Sequence, residues 1–246
     1  SRRHCEDLIL AGRVEVDRQI VTQLGTRANV QNQEIRVDGE LIRPAKLVYF
    51  VVHKPPGVVS TNRDPDGRPR VVDLVAVHER LFTVGRLDKG SSGLILVTND
   101  GALANRLAHP RYRIEKTYLV TVNGRPSPAT LLALRKGVHL AEGRAKLTSV
   151  RIKKTRSRNT VLEIILSEGK NREIRRMLAR FGHKTQELKR IAMGPLRLSD
   201  LPIGTYRPLS VYETRALRQV TRGQPRSNSK RQHRPKSLQP AKKKTP

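Results

Sequence analysis

Residues 85–101 read GRLDKGSSGLILVTNDG, and the division of this stretch decides the fold. Asp88 stands between two cations, Arg86 and Lys89, among glycines. The apolar run 93–97, GLILV, follows. Its length suits a buried strand better than a helix. Asn99 or Asp100 can then cap a helix that carries Leu103 and Leu107 on one face and meets Pro110 past its end. The stretch is one residue from a phosphate-binding loop, with Ser91 where that loop needs a lysine. No backbone amide replaces that charge, and the strand lies on the wrong side of the glycines. A nucleoside triphosphate site is therefore rejected. Ser91 and Ser92 lack a convincing histidine partner for nucleophilic catalysis. Asp88 itself is expected to stay ionised, because nearby positive charge favours the carboxylate. On these grounds a structural ion pair and a reactive carboxylate are equally open.

Outward from this stretch, strands outnumber helices. Towards the N-terminus, the run 47–52, LVYFVV, reads as a buried strand ended by Pro55, Pro56 and Gly57. Towards the C-terminus, KTYLVTVNG, KLTSVRI and NTVLEIIL read as further strands. SPATLLALRKG reads as a helix with Ser127 at the N-cap and Pro128 in the first turn. Residues 171–182, NREIRRMLARFG, predict the clearest helix. Ile174, Met177, Leu178 and Phe181 form its apolar stripe, and Arg172, Arg175, Arg176 and Arg180 fill much of the rest. Four arginines without a lysine favour phosphate or base contact, since a guanidinium binds phosphate bidentately. At the N-terminus, Cys5, Leu8 and Ile9 mark a short basic helix stopped by Gly12, and EIRVDGELI predicts a hairpin around Asp38-Gly39. The fold class is α+β with a mixed, largely antiparallel sheet flanked by helices. Three segments are expected: a small module over 1–45, a main domain over 46–221, and a disordered basic tail over 222–246.

Charge narrows the partner. The 246 residues carry a net charge of +29. Nine of the 50 Lys and Arg, and none of the 21 Asp and Glu, lie in 222–246, so residues 1–221 keep +20. An excess of this size suits a polyanion, because each neutralised phosphate releases a condensed counterion. Nucleic acid is the expected partner, and a membrane is not, since the apolar runs are far too short to span a bilayer. Cys5 is the only cysteine, which excludes an internal disulfide. The seven histidines are scattered, so no metal site is expected. With no signal-peptide pattern, the cytoplasm is the default compartment.

GRLDKGSSGLILVTNDG resembles the signature of RNA pseudouridine synthases of the RsuA/RluB type. HKPPGVVST, EKTYLV, EGKNREIRRML and ELKRIAMGPLRL match the family's other segments in order, over about residues 46–210. Residues 1–45 resemble part of an alpha-L RNA-binding domain whose first helix is missing. Ser91 replaces the commoner threonine. The resemblance implies a cofactor-free isomerisation of a uridine in ribosomal RNA, or in a ribosome-assembly intermediate, to pseudouridine, and nothing in the sequence demands more than a monomer. Asp88 matches the essential carboxylate, Arg86 the residue that fills the stack vacated by the flipped nucleotide, and Tyr118 the ring beneath the base. Lys170 matches a basic partner for Asp88, and Leu188 lines the pocket. Lys54 and Pro55 shape the fold rather than react. Arg2, Arg3 and Arg13, with Arg172, Arg175 and Arg176, are the expected RNA contacts. The EGKNREIRRML form leans towards large-subunit RNA. A small-subunit target and a non-catalytic ribosome-assembly protein are the alternatives.

Overall fold

The computed structural model describes residues 2–30, 32–43 and 45–222. The expected tail beyond Arg222, and Pro44, lie outside these residues. In chain order the elements begin with α1 (Arg2–Leu10), β1 (Val14–Val16), β2 (Gln19–Ile20), β3 (Ile35–Val37), β4 (Glu40–Leu41) and β5 (Tyr49–Lys54). Next come β6 (Phe82–Val84), β7 (Ser92–Thr98), α2 (Gly101–Ala108), β8 (Lys116–Asn123) and α3 (Pro128–Lys136). β9 (Val138–Leu140), β10 (Gly143–Ala145), β11 (Ser149–Thr155), β12 (Asn159–Leu166) and α4 (Glu173–Ala179) follow. β13 (Thr185–Met193), β14 (Leu196–Arg197), β15 (Tyr206–Pro208) and α5 (Val211–Arg222) complete the chain's α+β fold.

The chain divides into two compact units, one of residues 1–104 with 201–208 and one of 105–200 with the residues from 209 onward. In the first, β7 pairs antiparallel with β5 and with β6, and β15 pairs with β5. Leu94, Ile95, Leu96 and Val97 are fully buried, so both faces of β7 are covered. Each such side chain contributes roughly 1.5–3 kcal/mol of burial, and the unbroken apolar run is the sequence record of that position. The same unit holds a four-stranded sheet in the order β2-β1-β3-β4. Its β3–β4 turn takes positive φ at Asp38 (54°) and Gly39 (78°), as a tight two-residue hairpin requires. The β1–β2 turn does the same with Asp17 and Arg18, at φ 50° and 66°. That hairpin carries no glycine and was not legible from composition.

In the second unit, β8 is flanked by β12 and β13, β11 pairs with β12, and β14 pairs with β13. β8 and β12 bury alternate residues, so each has one better-covered face. Ser127 caps α3 by accepting a 3.1 Å hydrogen bond from the Thr130 amide. Asp100, rather than Asn99, caps α2 through the Leu103 amide at 2.9 Å. Asn99 instead ties back to the chain before β5, accepting from the Val48 amide and donating to the Lys46 carbonyl. α4 is shorter than the sequence pattern predicts. Arg172 precedes it in the left-handed region at φ 46°, which prevents an earlier start.

Candidate active site

Asp88 lies in the loop between β6 and β7, and it is partly exposed. Gly85, at φ 71°, opens the loop with a backbone turn that a side chain would strain. Two residues from the preceding segment then fix the backbone on either side of Asp88. The Ser60 hydroxyl donates to the Leu87 carbonyl at 3.1 Å and accepts from the Leu87 amide at 3.2 Å. The Lys54 ammonium, fully buried at the end of β5, donates to the carbonyls of Ser91 at 2.6 Å, Pro55 at 2.9 Å and Lys89 at 3.2 Å. The Gly57 amide donates to the same Lys89 carbonyl at 2.8 Å. The Ser91 amide closes the turn on the Asp88 carbonyl at 3.0 Å. Hydrogen bonds from a charged donor are stronger than neutral ones, so the loop holds its shape before any ligand arrives. Arg86 and Lys89 are exposed beside it.

In the second unit, Tyr118 on β8 is 7% exposed. It stands opposite Ile164 of β12 and Arg190 of β13. Leu188, also 7% exposed, is opposite Val120 and so shares Tyr118's face. Sequence reading missed two members of this face, Arg190 and Lys116. Arg190 is 2% exposed. Its signal was the period of two along β13, which buries Leu188 and Arg190 on one face. Lys116 lies two residues before Tyr118 and donates to the Ile114 carbonyl at 3.0 Å. Burial, together with the charge of Arg190, lowers its pKa from 10.5 to about 8, against a smaller opposing effect of Glu173. Burial also raises the pKa of Glu173. That carboxylate accepts from the Lys170 amide at 2.8 Å, while its other oxygen is buried without a hydrogen bond.

The remaining expected residues have distinct surroundings. The Lys170 ammonium donates to the Arg144 carbonyl at 2.7 Å and lies 3.7 Å from Glu168. These contacts occupy an ammonium that was expected to serve Asp88. Arg176, expected to face RNA, closes on both oxygens of Glu142 at 2.8 and 2.7 Å. Arg175 is half-buried and reaches the Thr185 carbonyl at 3.3 Å, whereas Arg172 is exposed. Arg13 grips Asp38 through two hydrogen bonds, and this pair holds the Asp38 carboxyl below its usual range. Arg3 is exposed on α1, and the side chain of Arg2 lies outside the described residues. Among the described residues no group of three His, Cys, Asp or Glu side chains is placed to hold a metal ion. No described helix is long and apolar enough to cross a membrane.

Comparison with known proteins places the chain in one class of enzyme. Residues 48–180 match the family model for RNA pseudouridylate synthase, so the chain belongs to that family of isomerases. It is 42% identical over 219 residues to an uncharacterized RNA pseudouridine synthase of Aquifex aeolicus, covering 88% of each chain. It is 40% identical to ribosomal large subunit pseudouridine synthase B of Bacillus subtilis, over 89% of this chain and 90% of that one. The protein of the same name from Shigella flexneri is 38% identical, over 94% and 82%. A crystal structure of a pseudouridylate synthase superposes with a TM-score of 0.63 at 28% identity, covering 88% of this chain and 94% of that one.

Proposed function

We propose that this enzyme converts a uridine of large-subunit ribosomal RNA to pseudouridine, with Asp88 as the acting carboxylate. The observation that carries the reading is the pinned Asp88 loop inside the segment that matches the family model. The large-subunit target is supported by the two relatives named for that RNA. The chemistry is redox-neutral. The bond from uracil N1 to ribose C1′ breaks, the base turns, and C5 bonds to C1′. C5 loses its proton and N1 gains one, so no electron carrier is called for. A uridine in folded RNA must first leave its stack. Arg86 is suited to occupy the vacated place, because its planar cation is exposed beside Asp88. Tyr118 is assigned to the face of the flipped base, with its hydroxyl available to assist removal of the C5 proton. Leu188 supplies an apolar wall on Tyr118's face.

Lys170 is the least supported member of the set, since its ammonium is already engaged by Arg144 and Glu168. The small sheet of β1–β4 with α1 is assigned to RNA binding as part of an alpha-L module. Action as a monomer in the cytoplasm goes with this reading.

The test is tritium release from C5-labelled uridine in a large-subunit ribosomal RNA transcript. The wild type should release tritium. Asp88→Asn should lower the rate by about 10³-fold or more while holding RNA affinity within about twofold, since one exposed-loop carboxylate adds no phosphate contact. Retained release by the variant would sink the role of Asp88. Release from a small-subunit transcript alone would move the target, and binding without release would make the protein a non-catalytic binder.

A further inference from the structure

The second unit carries a cleft of about 1000 Å³ that none of the residues assigned above enters. Its floor includes Thr117 of β8 and Ile165 of β12, which are paired across the two strands. Successive residues of a strand point to opposite faces. Tyr118 and Ile164 are the next pair in register, so this floor is the reverse of the sheet face that holds Tyr118. One wall is the last turn of α3 with the segment that leads into β11. The Leu147 amide ties that segment to the Leu134 carbonyl at 3.1 Å, and the Thr148 amide ties it to Ile165 at 2.8 Å. The opposite wall is fixed by the Gly194 amide on the Glu115 carbonyl at 2.8 Å. Backbone hydrogen bonds therefore build the cleft in advance of a ligand.

Five cations line it: Arg113, Arg135, Lys136, Lys146 and Arg197. The acids lining it are Glu115 and Glu168, and Glu168 faces Lys170 at 3.7 Å. Arg197 is anchored to the carbonyls of Gly194 and Leu196 at 2.7 and 3.1 Å. Among the described residues Arg113, Arg135, Lys136 and Lys146 have no carboxylate partner, and all four are exposed. Leu132 and Val220 add apolar surface, 50% and 39% exposed. A cleft that mixes unpaired cations with exposed aliphatic surface suits a ligand of alternating phosphates and sugars better than a small free anion. The chain also leaves α5 at Arg222, just past Val220, and residues 223–246 hold eight more Lys and Arg without an acid.

We infer that this cleft is a second RNA-binding site, which grips the phosphate backbone of the substrate RNA on the face of the sheet opposite Tyr118. The inference rests on the reading that RNA is the substrate. It adds that recognition extends beyond the nucleotide presented to Tyr118, so a long RNA should bind better than a short one through these side chains.

The experiment uses the full chain and two probes, a large-subunit ribosomal RNA transcript and a ten-nucleotide uridine-containing oligomer. Affinity is measured across a salt series. Combining Arg135→Ala, Lys136→Ala and Lys146→Ala should weaken transcript binding at least about tenfold near 0.15 M salt and reduce the salt slope by roughly 2, as loss of three phosphate contacts requires. The loss should be much smaller for the oligomer. A control variant removes three exposed cations of the β11 region, with Lys153→Ala, Lys154→Ala and Arg156→Ala, and should change the slope by less than half as much. An equal effect of the control would mean that only net charge matters, and would overturn the site. So would an unchanged slope in the cleft variant. Wild type that turns over RNA while the cleft variant binds as well as wild type refutes the cleft alone. Wild type that binds no RNA refutes both readings.

Discussion

The Asp88 loop and the Tyr118 sheet face each bury a lysine, and they use it differently. Lys54 is fully buried and donates to three backbone carbonyls, two of them in the loop that carries Asp88. These bonds tie the end of β5 to the backbone on either side of the loop and hold it in place. Lys116 has one carbonyl, that of Ile114, and lies within the field of Arg190. Burial, with the charge of Arg190, lowers its pKa to about 8. Lys54 thus serves as a clamp on backbone, whereas Lys116 is the group whose titration is moved by its surroundings.

The largest effect should come from the clamp. Lys54→Met leaves three carbonyls without their shared donor and should destabilise the protein by about 3–5 kcal/mol. It should also cut turnover on RNA more than RNA affinity, because the Asp88 backbone loses one side of its support. Urea unfolding and tritium release measure the two parts. A stable Lys54→Met protein with normal turnover would break the contrast between the two lysines.

An intermediate effect, dependent on pH, is expected at Lys116. Below about pH 8 both folded and unfolded chains hold its proton, and the fold carries the full cost of the buried charge. Between about 8 and 10.5 the unfolded chain keeps a proton that the folded chain has released. Stability should therefore rise with pH across that window, by at most about 1.4 kcal/mol per pH unit from this group. The difference between the melting curves of wild type and Lys116→Met, followed from pH 7.5 to 10.5, isolates the contribution. A difference that does not change with pH would show that Lys116 keeps its ordinary pKa in the folded chain.

The smallest effects separate two arginines of one motif. Arg172 is exposed, whereas Arg176 is closed on Glu142. Arg172→Ala should reduce the salt slope of RNA binding by about 0.7–0.9, the value of one phosphate contact. Arg176→Ala should leave that slope nearly unchanged and cost little stability, as a partly exposed ion pair does. The reverse pattern would mean that the Glu142 pair opens to admit RNA.

Most of the site's local chemistry was written along the chain. The unbroken apolar run 93–97 announced β7 because a strand covered on both faces needs apolar side chains at every position. Ser127 and Pro128 announced the start of α3 because capping is a contact between near neighbours. The motif around Asp88 marked the segment that matches the family. Lys54 was read as a residue that shapes the fold, and the carbonyls it holds could not be named from the sequence. They lie 35 and 37 residues away, apart from that of Pro55.

The sequence by itself determined the α+β class, the polyanionic partner implied by its charge, and the segments that match the family. These follow from short-range periodicity, capping and composition, none of which needs a distant contact. Tertiary structure alone decided which cations are occupied. Arg176 found Glu142, Lys170 found Arg144 and Glu168, and Arg190 was buried opposite Tyr118. It also placed Arg113, Arg135 and Lys146 around one cleft. An arginine looks the same in sequence whether it meets a carboxylate, a carbonyl or water. Strand register and chain reversal choose among those, and they act between residues that the linear order keeps apart.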